Sequence, residues 1–305
     1  MSNSSKTIRL GAIGIDSSHL PEFTRRIKAL NDAGLTPCRV TEFFDPGAHD
    51  MPAGEVAKWR EATVGMGVGV ADTINDLLGR VDGVLVLAVN GHRHAELALP
   101  VLERGLPTYI DKPLTCELPG ARRLLAAARA SGARCYSASS LRFAGEVTGL
   151  DREKLGKLVA IDAFGPGELN PAMAGLFFYG VHTIEMVDAL WGVAGGGVKR
   201  VSAVTSENRD LLDLDYRDGR YARLRMERKG CYEFGATVHG EKGVTSFKVD
   251  FADVYNRLVK GMTGFFEGGP APAGLRDIVE NVAVMEAGNA SMARDGAWVD
   301  VPVIE

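Results

Sequence analysis

The stretch TIRLGAIGIDSSHLPEFTRRIKALNDAG, residues 7–34, is typical of a strand followed by a tight turn and a helix that ends before Gly34. In dinucleotide-binding domains such a turn carries the pattern G-x-G-x-x-G, because glycines let the backbone approach a pyrophosphate at the start of the helix. Aligned from the strand, the three positions fall on Gly14, Asp16 and His19, so only the first glycine is present.

Asp16 puts a carboxylate close to where a phosphate would bind, at a Coulomb cost of about 1 to 4 kcal/mol in a partly solvated site. The side chain must therefore point away, cap the helix or bind something else. Asp16, Ser17 and Ser18 are all preferred N-cap residues. Either Ser17, Ser18 and the helix N-terminus hold a pyrophosphate without the other glycines, or the site has changed its ligand. Capping and ligand binding are compatible, and the sequence leaves both open.

The first 140 residues alternate short apolar runs with helical patterns, which is typical of successive βαβ units in a parallel sheet. The run VDGVLVLAVN, residues 81–90, has the uninterrupted apolar character of a central strand covered on both faces. Two local details are also predicted: Asp72 caps a short helix, and Pro100 kinks or restarts a helix from about Ala95 to Arg104. We therefore predict an α/β fold in which residues 1–140 form a Rossmann-type, doubly wound parallel sheet.

The rhythm changes near Arg142, and residues 141–305 are predicted as an α+β domain with a mostly antiparallel open sheet. YRDGRY, residues 216–221, predicts a hairpin with a type I′ turn at Asp218 and Gly219. HGEKGVTSF, residues 239–247, predicts a second tight connection. We expect this domain to bind substrate and to carry the contacts of an oligomer.

The composition restricts the class of protein. With 46% hydrophobic residues, 24% charged residues and a net charge of -4, the chain offers no basic surface for nucleic acid. The polar start MSNSSKT lacks the apolar region of a signal peptide, and no apolar run approaches the ~18 residues of a membrane span. Four cysteines without C-x-x-C spacing favour reduced thiols: Cys38, Cys116, Cys135 and Cys231. We therefore expect a cytoplasmic protein with a small-molecule partner.

Asp45 follows the predicted second strand, where an acidic residue of a Rossmann domain hydrogen-bonds the adenosine ribose. Its separation from Gly14 is longer than the usual ~20 residues. An Asp-Pro turn is an equally supported alternative. No arginine or lysine follows Asp45 until Lys58, so a 2′-phosphate has no obvious partner, and NAD is favoured over NADP.

Two further stretches carry a family resemblance. AVNGHRH supplies Asn90 and His94, and YIDKP supplies Asp111, Lys112 and Pro113. Together with SLRF, GVHTIEMVDALWG and HGEKGVTSF in the same order, they make the chain resemble the glucose-fructose oxidoreductase, inositol dehydrogenase and MocA family of nicotinamide-dependent enzymes. The resemblance covers nearly the whole chain and implies that these five residues belong to the cofactor site. It also implies that Lys112 lies near the nicotinamide and substrate, often with a cis bond to Pro113. Where the family has glutamate, this chain has Asp111.

Lys112 stands at the carboxyl end of a predicted central strand, the edge at which open α/β sheets bind ligands. A lysine whose pKa is lowered by burial can serve as a proton donor to a carbonyl or hydroxyl oxygen. Pro113 biases Lys112 to extended geometry. Without the resemblance, a surface lysine in a turn is the better supported alternative.

His182 is the second candidate for chemistry. The family pattern D-x-G-x-H-x-x-D, in which the histidine is the base for the substrate hydroxyl proton, falls here on Phe178, Gly180, His182 and Glu185. The first aspartate is therefore absent, and Tyr179 next to it points about 100° away along a helix. Glu185, one turn from His182, could orient the imidazole. The alternative for His182 is a structural histidine.

Glu168 and Asn170 follow a strand of the second domain and are either substrate contacts or members of a polar loop. His92 and His94, at i and i+2 without a nearby cysteine or carboxylate pair, make a poor metal site, so no metal is expected.

The sequence thus predicts an NAD-dependent dehydrogenase that moves hydride between the cofactor and a hydroxyl-bearing carbon of a sugar or polyol. In this interpretation His182 takes the hydroxyl proton, Lys112 polarises the oxygen, and Glu168, Asn170, Tyr179 and Glu185 contact the substrate. A homodimer or homotetramer through the C-terminal sheet is expected. The alternative is a small-ligand binder or a non-redox enzyme, such as a lyase or hydrolase, with altered or lost cofactor binding; Asp16 and Phe178 motivate it.

Overall fold

A computed structural model of the protein describes residues 6–192, 197–230 and 232–305. These residues form two compact units. The first contains the chain up to Thr115, Pro119–Ser137 and Leu258–Leu275, and the second contains Cys116–Leu118, Ala138–Arg257 and Arg276–Glu305. The passage from Ser137 to Ala138 lies close to the boundary predicted near residue 140. Leu258–Leu275, which the sequence pattern places in the second domain, packs with the first unit.

The first unit is built on a six-stranded sheet whose paired strands are all parallel, in the order β3-β2-β1-β4-β5-β6. This is the order of a doubly wound dinucleotide-binding domain, so the predicted fold class is confirmed. The strands are β1 Ile8–Ile13, β2 Cys38–Phe44, β3 Gly69–Ala71, β4 Gly83–Val86, β5 Thr108–Ile110 and β6 Cys135–Ser137. The helices are α1 His19–Asp32, α2 Ala53–Gly65, α3 Ile74–Leu78, α4 His94–Glu103 and α5 Leu118–Ser131.

Local sequence signals place most of these elements. Every residue of β4 is buried, as its apolar run predicts. Gly34 and Gly132 follow α1 and α5 in the left-handed region, with φ of 70° in both cases, which a glycine adopts without steric cost.

Two helix details differ from the predictions. Thr73, rather than Asp72, caps α3, because Thr73 has extended geometry and its hydroxyl accepts a hydrogen bond from the amide of Asp76 at 3.1 Å. Helix α4 runs from His94 to Glu103 with Pro100 inside it, so the helix does not restart at the proline. The carbonyl that Pro100 leaves without its amide partner belongs to Glu96, an exposed residue, so water can satisfy that carbonyl.

The second unit contains a seven-stranded sheet in the order β12-β11-β7-β10-β9-β8-β13. Only the pair β7 and β10 is parallel, which confirms a mostly antiparallel sheet. The strands are β7 Leu158–Pro166, β8 Val198–Thr205, β9 Arg209–Tyr216, β10 Tyr221–Glu227, β11 Gly235–Gly240, β12 Val244–Lys248 and β13 Val299–Asp300. The helices are α6 Gly145–Thr148, α7 Arg152–Leu155, α8 Gly180–Trp191 and α10 Leu275–Met292; α9, Val254–Phe266, continues from this unit into the first.

The hairpin between β9 and β10 forms as predicted, but the prediction that its turn is of type I′ is wrong. A type I′ turn needs positive φ at both central residues. Among the non-glycine residues that the structure describes, only Ala48 and Asp295 have positive φ, so Asp218 does not. Gly219, with φ of 86°, takes the left-handed position alone, and the amide of Tyr216 donates to the carbonyl of Arg220 across a longer loop.

Helix α8 positions His182. Its predicted apolar stripe is buried: Val181, Ile184, Val187 and Trp191 are each at most 5% exposed. The opposite face is also covered, because Met186 and Glu185 are 0% and 1% exposed. A helix buried on nearly all sides holds its polar side chains in fixed directions. No helix in the part of the chain that the structure describes is long and apolar enough to cross a membrane.

Candidate active site

In the first unit, the turn after β1 requires its one glycine. Gly14 has φ of 98°, and a Cβ atom there would lie 2.4 Å from the backbone nitrogen of Ala88. The amide of Gly14 donates to the carbonyl of Phe44 at 3.1 Å. The turn therefore lies against the carboxyl ends of both neighbouring strands, β2 and β4.

Asp16 is 1% exposed and binds two backbone amides on different segments. Its Oδ1 accepts from Val89 and its Oδ2 accepts from Asp50, both at 3.2 Å. Neither partner lies in α1, so these two bonds do not cap that helix. The carboxylate instead ties the segment after β2 to the segment after β4, and the two donors partly offset its negative charge.

The start of α1 is left open by this arrangement. The hydroxyl of Ser17 accepts from the amide of His19 at 3.2 Å, and Ser18, at the N-cap position, makes no capping bond with its exposed side chain. Neither the Ser17 nor the Ser18 amide donates to an acceptor within the described residues. Amides at a helix N-terminus attract an anionic group such as a pyrophosphate.

Asp45 follows β2 directly and is half-buried. Its Oδ1 accepts from the amide of Gly47 at 2.9 Å, the geometry of an Asp turn, and lies 2.8 Å from Nε2 of His49. Arg60, on α2, places Nη1 3.6 Å from the other carboxylate oxygen. The fold thus places the side chains of His49 and Arg60 beside the Asp45 carboxylate, two contacts that the sequence analysis did not predict.

Asn90 and His94 follow β4, and both serve the local backbone. The side chain of Asn90 accepts from the amide of His92 at 3.0 Å, which caps a short 3-10 turn. His94 is 0% exposed; its Nδ1 lies 2.8 Å from the carbonyl oxygen of Pro113 and its Nε2 lies 2.7 Å from that of Ala88. In this structure His94 therefore links the segments after β4 and β5 by hydrogen bonds, and none of its side chain is exposed for contact with a cofactor.

Asp111, after β5, is 4% exposed and uses both carboxylate oxygens. Oδ1 accepts from the amide of Lys112 at 2.9 Å, and Oδ2 lies 2.6 Å from Nδ1 of His19. Burial by itself raises the pKa of Asp111, but the charge and hydrogen bond of His19, together with the charge of Lys112, hold it well below its usual range. The peptide bond between Lys112 and Pro113 is cis, as the family resemblance implies.

These residues fit a dinucleotide at the carboxyl edge of the first sheet. Gly14 would allow the close backbone approach, the Ser17 and Ser18 amides would be available as donors to a pyrophosphate, and Asp45 would be available as an acceptor for ribose hydroxyls.

In the second unit, His182 is half-buried on α8, and its Nδ1 lies 2.8 Å from Oγ of Ser139. The amide of Ser139 donates to Oε2 of Glu185 at 2.8 Å. The predicted link from Glu185 to His182 therefore includes Ser139, a residue that sequence reasoning missed. Its signal was only its position in SASSLRF, directly after β6.

Aromatic rings surround the imidazole of His182. The ring of Tyr179 lies 5.5 Å away in an edge contact and that of Phe234 lies 6.0 Å away. Phe178, at the position of the missing aspartate, contacts Tyr179 at 5.2 Å. Edge contacts of this kind favour one ring orientation.

The side chains of Glu168 and Asn170 have different surroundings. The Asn170 side chain accepts from the amide of Ala172 at 2.8 Å and so shapes its own loop. Glu168 is half-buried; burial and the Glu168 charge together raise the pKa of Tyr179 above its usual value. Glu168 therefore belongs to the surroundings of Tyr179.

The cysteines and the possible metal ligands give no sign of a second reactive site within the described residues. Cys38, Cys116 and Cys135 are buried. Burial raises the pKa of Cys38 to about 11 and of Cys135 to about 12, so these two stay as thiols. Cys231 lies outside the described residues. Within the described ranges, no group of three or more histidine, cysteine, aspartate or glutamate side chains could hold a metal ion.

The strand order, the turn at Gly14 and the polar groups after β2 and β5 define a Rossmann-type dinucleotide-binding protein. Residues 8–139 match the GFO_IDH_MocA family model, described as an oxidoreductase family with an NAD-binding Rossmann fold. The match is to the family that the sequence resemblance predicts, and it covers this part of the chain.

Known relatives agree with this assignment. Inositol 2-dehydrogenase from Ralstonia nicotianae is 27% identical over 140 residues, which cover 45% of this chain and 37% of that protein. GenD2 from gentamicin A biosynthesis, solved with NAD, superposes with a TM-score of 0.81 at 18% identity and covers 99% of this chain and 98% of its own. Levoglucosan dehydrogenase, solved with NADH and L-sorbose, gives 0.79 at 16% identity, with 98% and 100% coverage. At such identities the two structures show a shared fold.

Proposed function

We propose that this protein is an NAD-dependent dehydrogenase that oxidises a hydroxyl-bearing carbon of a sugar or polyol, or reduces the corresponding carbonyl. The observation that carries the proposal is Lys112, which follows β5 in an NAD-binding oxidoreductase domain with its amide fixed by Asp111. The names of the relatives, an inositol dehydrogenase and a levoglucosan dehydrogenase, support substrates rich in hydroxyl groups.

Each candidate residue has a separate task in this proposal. When bound, NAD⁺ would supply the hydride acceptor at its nicotinamide C4. His182 takes the proton of the substrate hydroxyl as a general base, and Lys112 polarises the oxygen. Tyr179 and Glu168 contact the substrate beside His182.

For the cofactor, we propose NAD over NADP. Asp45 carries a negative charge after β2, where a 2′-phosphate would be repelled and a ribose diol would be bound. Arg60 at 3.6 Å is already paired with this carboxylate, which reduces its value as a phosphate ligand.

We further propose a cytoplasmic homodimer or homotetramer that assembles through the sheet of the second unit. Its support is the exposed apolar side chains on the strands of that sheet, among them Phe164 and Val204, at 41% and 45% exposure. Analytical ultracentrifugation tests this, and a monomer at micromolar concentration would contradict it.

The dehydrogenase proposal is tested by titrating the purified protein with NADH and NADPH and following nicotinamide fluorescence. We expect NADH to bind more tightly; no binding of either at millimolar concentration contradicts the proposal and favours a non-redox enzyme or ligand binder. A screen of polyols and sugars with NAD⁺ then identifies the substrate by the absorbance of NADH.

With a substrate in hand, Lys112→Ala and His182→Ala test the assigned roles. We expect each to lower kcat by at least about a hundredfold, the range for loss of a general acid or base, with NADH affinity nearly unchanged. Arg9→Ala, which removes only an exposed ion pair with Asp82 in the first unit, is the matched control. Unchanged turnover in either variant would remove that residue from the mechanism.

A further inference from the structure

Close packing of glycines brings Glu168 beside Tyr179. Gly167 and Gly180, the residues next to them in sequence, both lie against Met226. A Cβ atom at Gly167 would come within 2.9 Å of the backbone of Met226, and one at Gly180 within 3.1 Å of its sulfur. Because glycine lets two backbones approach closely, the loop that carries Glu168 meets the start of α8, where Tyr179 lies.

Aromatic rings surround the candidate base in the same region. The ring of Tyr179 lies 5.2 Å from that of Phe178 and 5.5 Å from that of His182. On the other side of His182, the ring of Phe234 contacts that of Phe251, which is 45% exposed. We call these four benzene rings the aromatic wall. Their faces carry negative potential and attract cations.

No neighbouring cation balances the charge of Glu168. Within the described residues, no lysine, arginine or histidine forms an ion pair with it. The amide of Gly167 donates to the carbonyl of Glu227, so the end of β10 lies beside this loop. The cations there are paired with other carboxylates: Arg225 with Glu227, Arg228 with Asp210 and Lys229 with Glu207. Because Glu168 is half-buried, water compensates its charge only in part.

Two tyrosines are affected by the charge of Glu168. Burial and this charge raise the pKa of Tyr179, and a hydrogen bond to Glu168 together with its charge raises the pKa of Tyr232. Both side chains therefore stay as neutral phenols, which can donate to the carboxylate without neutralising it. A carboxylate with neutral donors around it binds a cationic group more strongly than a neutral one.

We propose that Glu168 and the aromatic wall bind a protonated amino group, so that the substrate is a sugar or cyclitol that carries an amine as well as hydroxyl groups. The inference rests on the proposed function, which supplies the hydroxyl that is oxidised near His182. An ammonium group suits both parts of the site, since it makes charge-assisted hydrogen bonds to a carboxylate and attractive contacts with ring faces. Phe178 contributes one of these rings at the position where the family pattern has an aspartate.

Matched ligands that differ in the amine test the site without any need for activity. The pairs are glucosamine and glucose, galactosamine and galactose, and scyllo-inosamine and scyllo-inositol. We expect the amine of at least one pair to bind the full chain about tenfold to a hundredfold more tightly than its neutral partner, the range for a hydrogen bond to a charged group. N-acetylglucosamine, which keeps the nitrogen but not the charge, should bind like glucose. Saturation-transfer NMR titrations at neutral pH measure the affinities.

Variants assign the preference to this site. Glu168→Gln keeps the shape of the side chain and removes its charge, so we expect it to abolish the preference for the amine and to change the affinity of the neutral partner less than about twofold. Tyr179→Leu removes a ring face and should weaken the amine about threefold more than its neutral partner. Glu207→Gln removes an equal charge from an exposed pair with Lys229 and is the matched control.

Equal affinities within every pair overturn the proposal, as does the failure of every amine to bind or a preference that survives in Glu168→Gln. If Glu168→Gln does not fold, the wild-type pairs alone decide. If an amine binds through Glu168 but no sugar, polyol or amine reduces NAD⁺, the proposed function fails and the amine site stands. If a neutral member of these pairs is oxidised and every amine lacks an advantage, the proposed function stands and the amine site fails.

Discussion

His19 and Asp111 form a nearly buried hydrogen-bonded pair, with 2.6 Å between Nδ1 of the histidine and Oδ2 of the aspartate. The pair joins the first residue of α1 to the residue after β5. Each partner occupies a position at which the chain departs from the expected motifs: His19 stands at the third glycine of the phosphate turn, and Asp111 stands in place of the family glutamate. The structure brings these two residues into contact. Because Oδ1 of Asp111 also accepts from the amide of Lys112, the pair orients the backbone that carries Lys112.

Loss of the Asp111 charge should destabilise the protein in a pH-dependent manner. Because the pKa of Asp111 is depressed in the folded state, its contribution is fully present above the unfolded pKa of about 3.9 and declines as the pH falls towards the folded value. We expect Asp111→Asn to cost about 2 to 4 kcal/mol at pH 7 and about 1 kcal/mol less at pH 3.

Urea unfolding at both pH values measures this difference. Asp82→Asn, which breaks the exposed pair with Arg9, is the control and should cost less than about 1 kcal/mol. An equal cost of Asp111→Asn at pH 3 and pH 7 would contradict the assigned charge.

Gly14→Ala should damage both the fold and cofactor binding. The new Cβ would lie 2.4 Å from a backbone nitrogen, at a φ of 98° that alanine rarely adopts. We expect a loss of about 2 to 4 kcal/mol in the free energy of unfolding and at least a tenfold weaker NADH affinity. Gly34→Ala shares the positive φ but meets open space, so it should cost only about 1 kcal/mol and leave NADH binding intact.

Asp16→Gly, which restores the second glycine of the phosphate turn, should weaken the protein. The substitution leaves the amides of Val89 and Asp50 without their acceptor, at a cost of about 2 kcal/mol. Thermal unfolding measures the loss. Asp50→Ala keeps the amide donor and is the control, expected to lie within about 0.5 kcal/mol of wild type. A variant as stable as wild type, with tighter NADH binding, would mean that Asp16 only obstructs the turn.

Asp45→Ala should reduce the preference for NADH over NADPH. The carboxylate is the acidic group at the end of β2, and its loss removes a charged hydrogen-bond acceptor from the ribose, which corresponds to about a tenfold weaker NADH affinity. Fluorescence titration with both cofactors provides the ratio. His49→Ala leaves the carboxylate in place and should keep the preference; an unchanged ratio in Asp45→Ala would move the specificity elsewhere.

The sequence by itself determined the architecture and the positions of the candidate groups. The buried run of β4, the glycine after α1 and the turn residues between strands act through neighbours in the chain, so their effects can be predicted from local patterns. The errors were local as well: Thr73 rather than Asp72 caps α3 with its hydroxyl, and of the two central turn residues only Gly219 has positive φ.

Only the tertiary structure decided what the site residues do. Asp16 binds amides 34 and 73 positions away, His94 binds a carbonyl 19 positions away, and Ser139 meets His182 across 43 positions. A hydrogen bond depends on distances of about 3 Å and on direction, and these are fixed by how strands pair and helices pack rather than by the residue types alone. A carboxylate in a phosphate turn therefore looked like an obstacle in the sequence, whereas in the fold it ties together the two segments beside that turn.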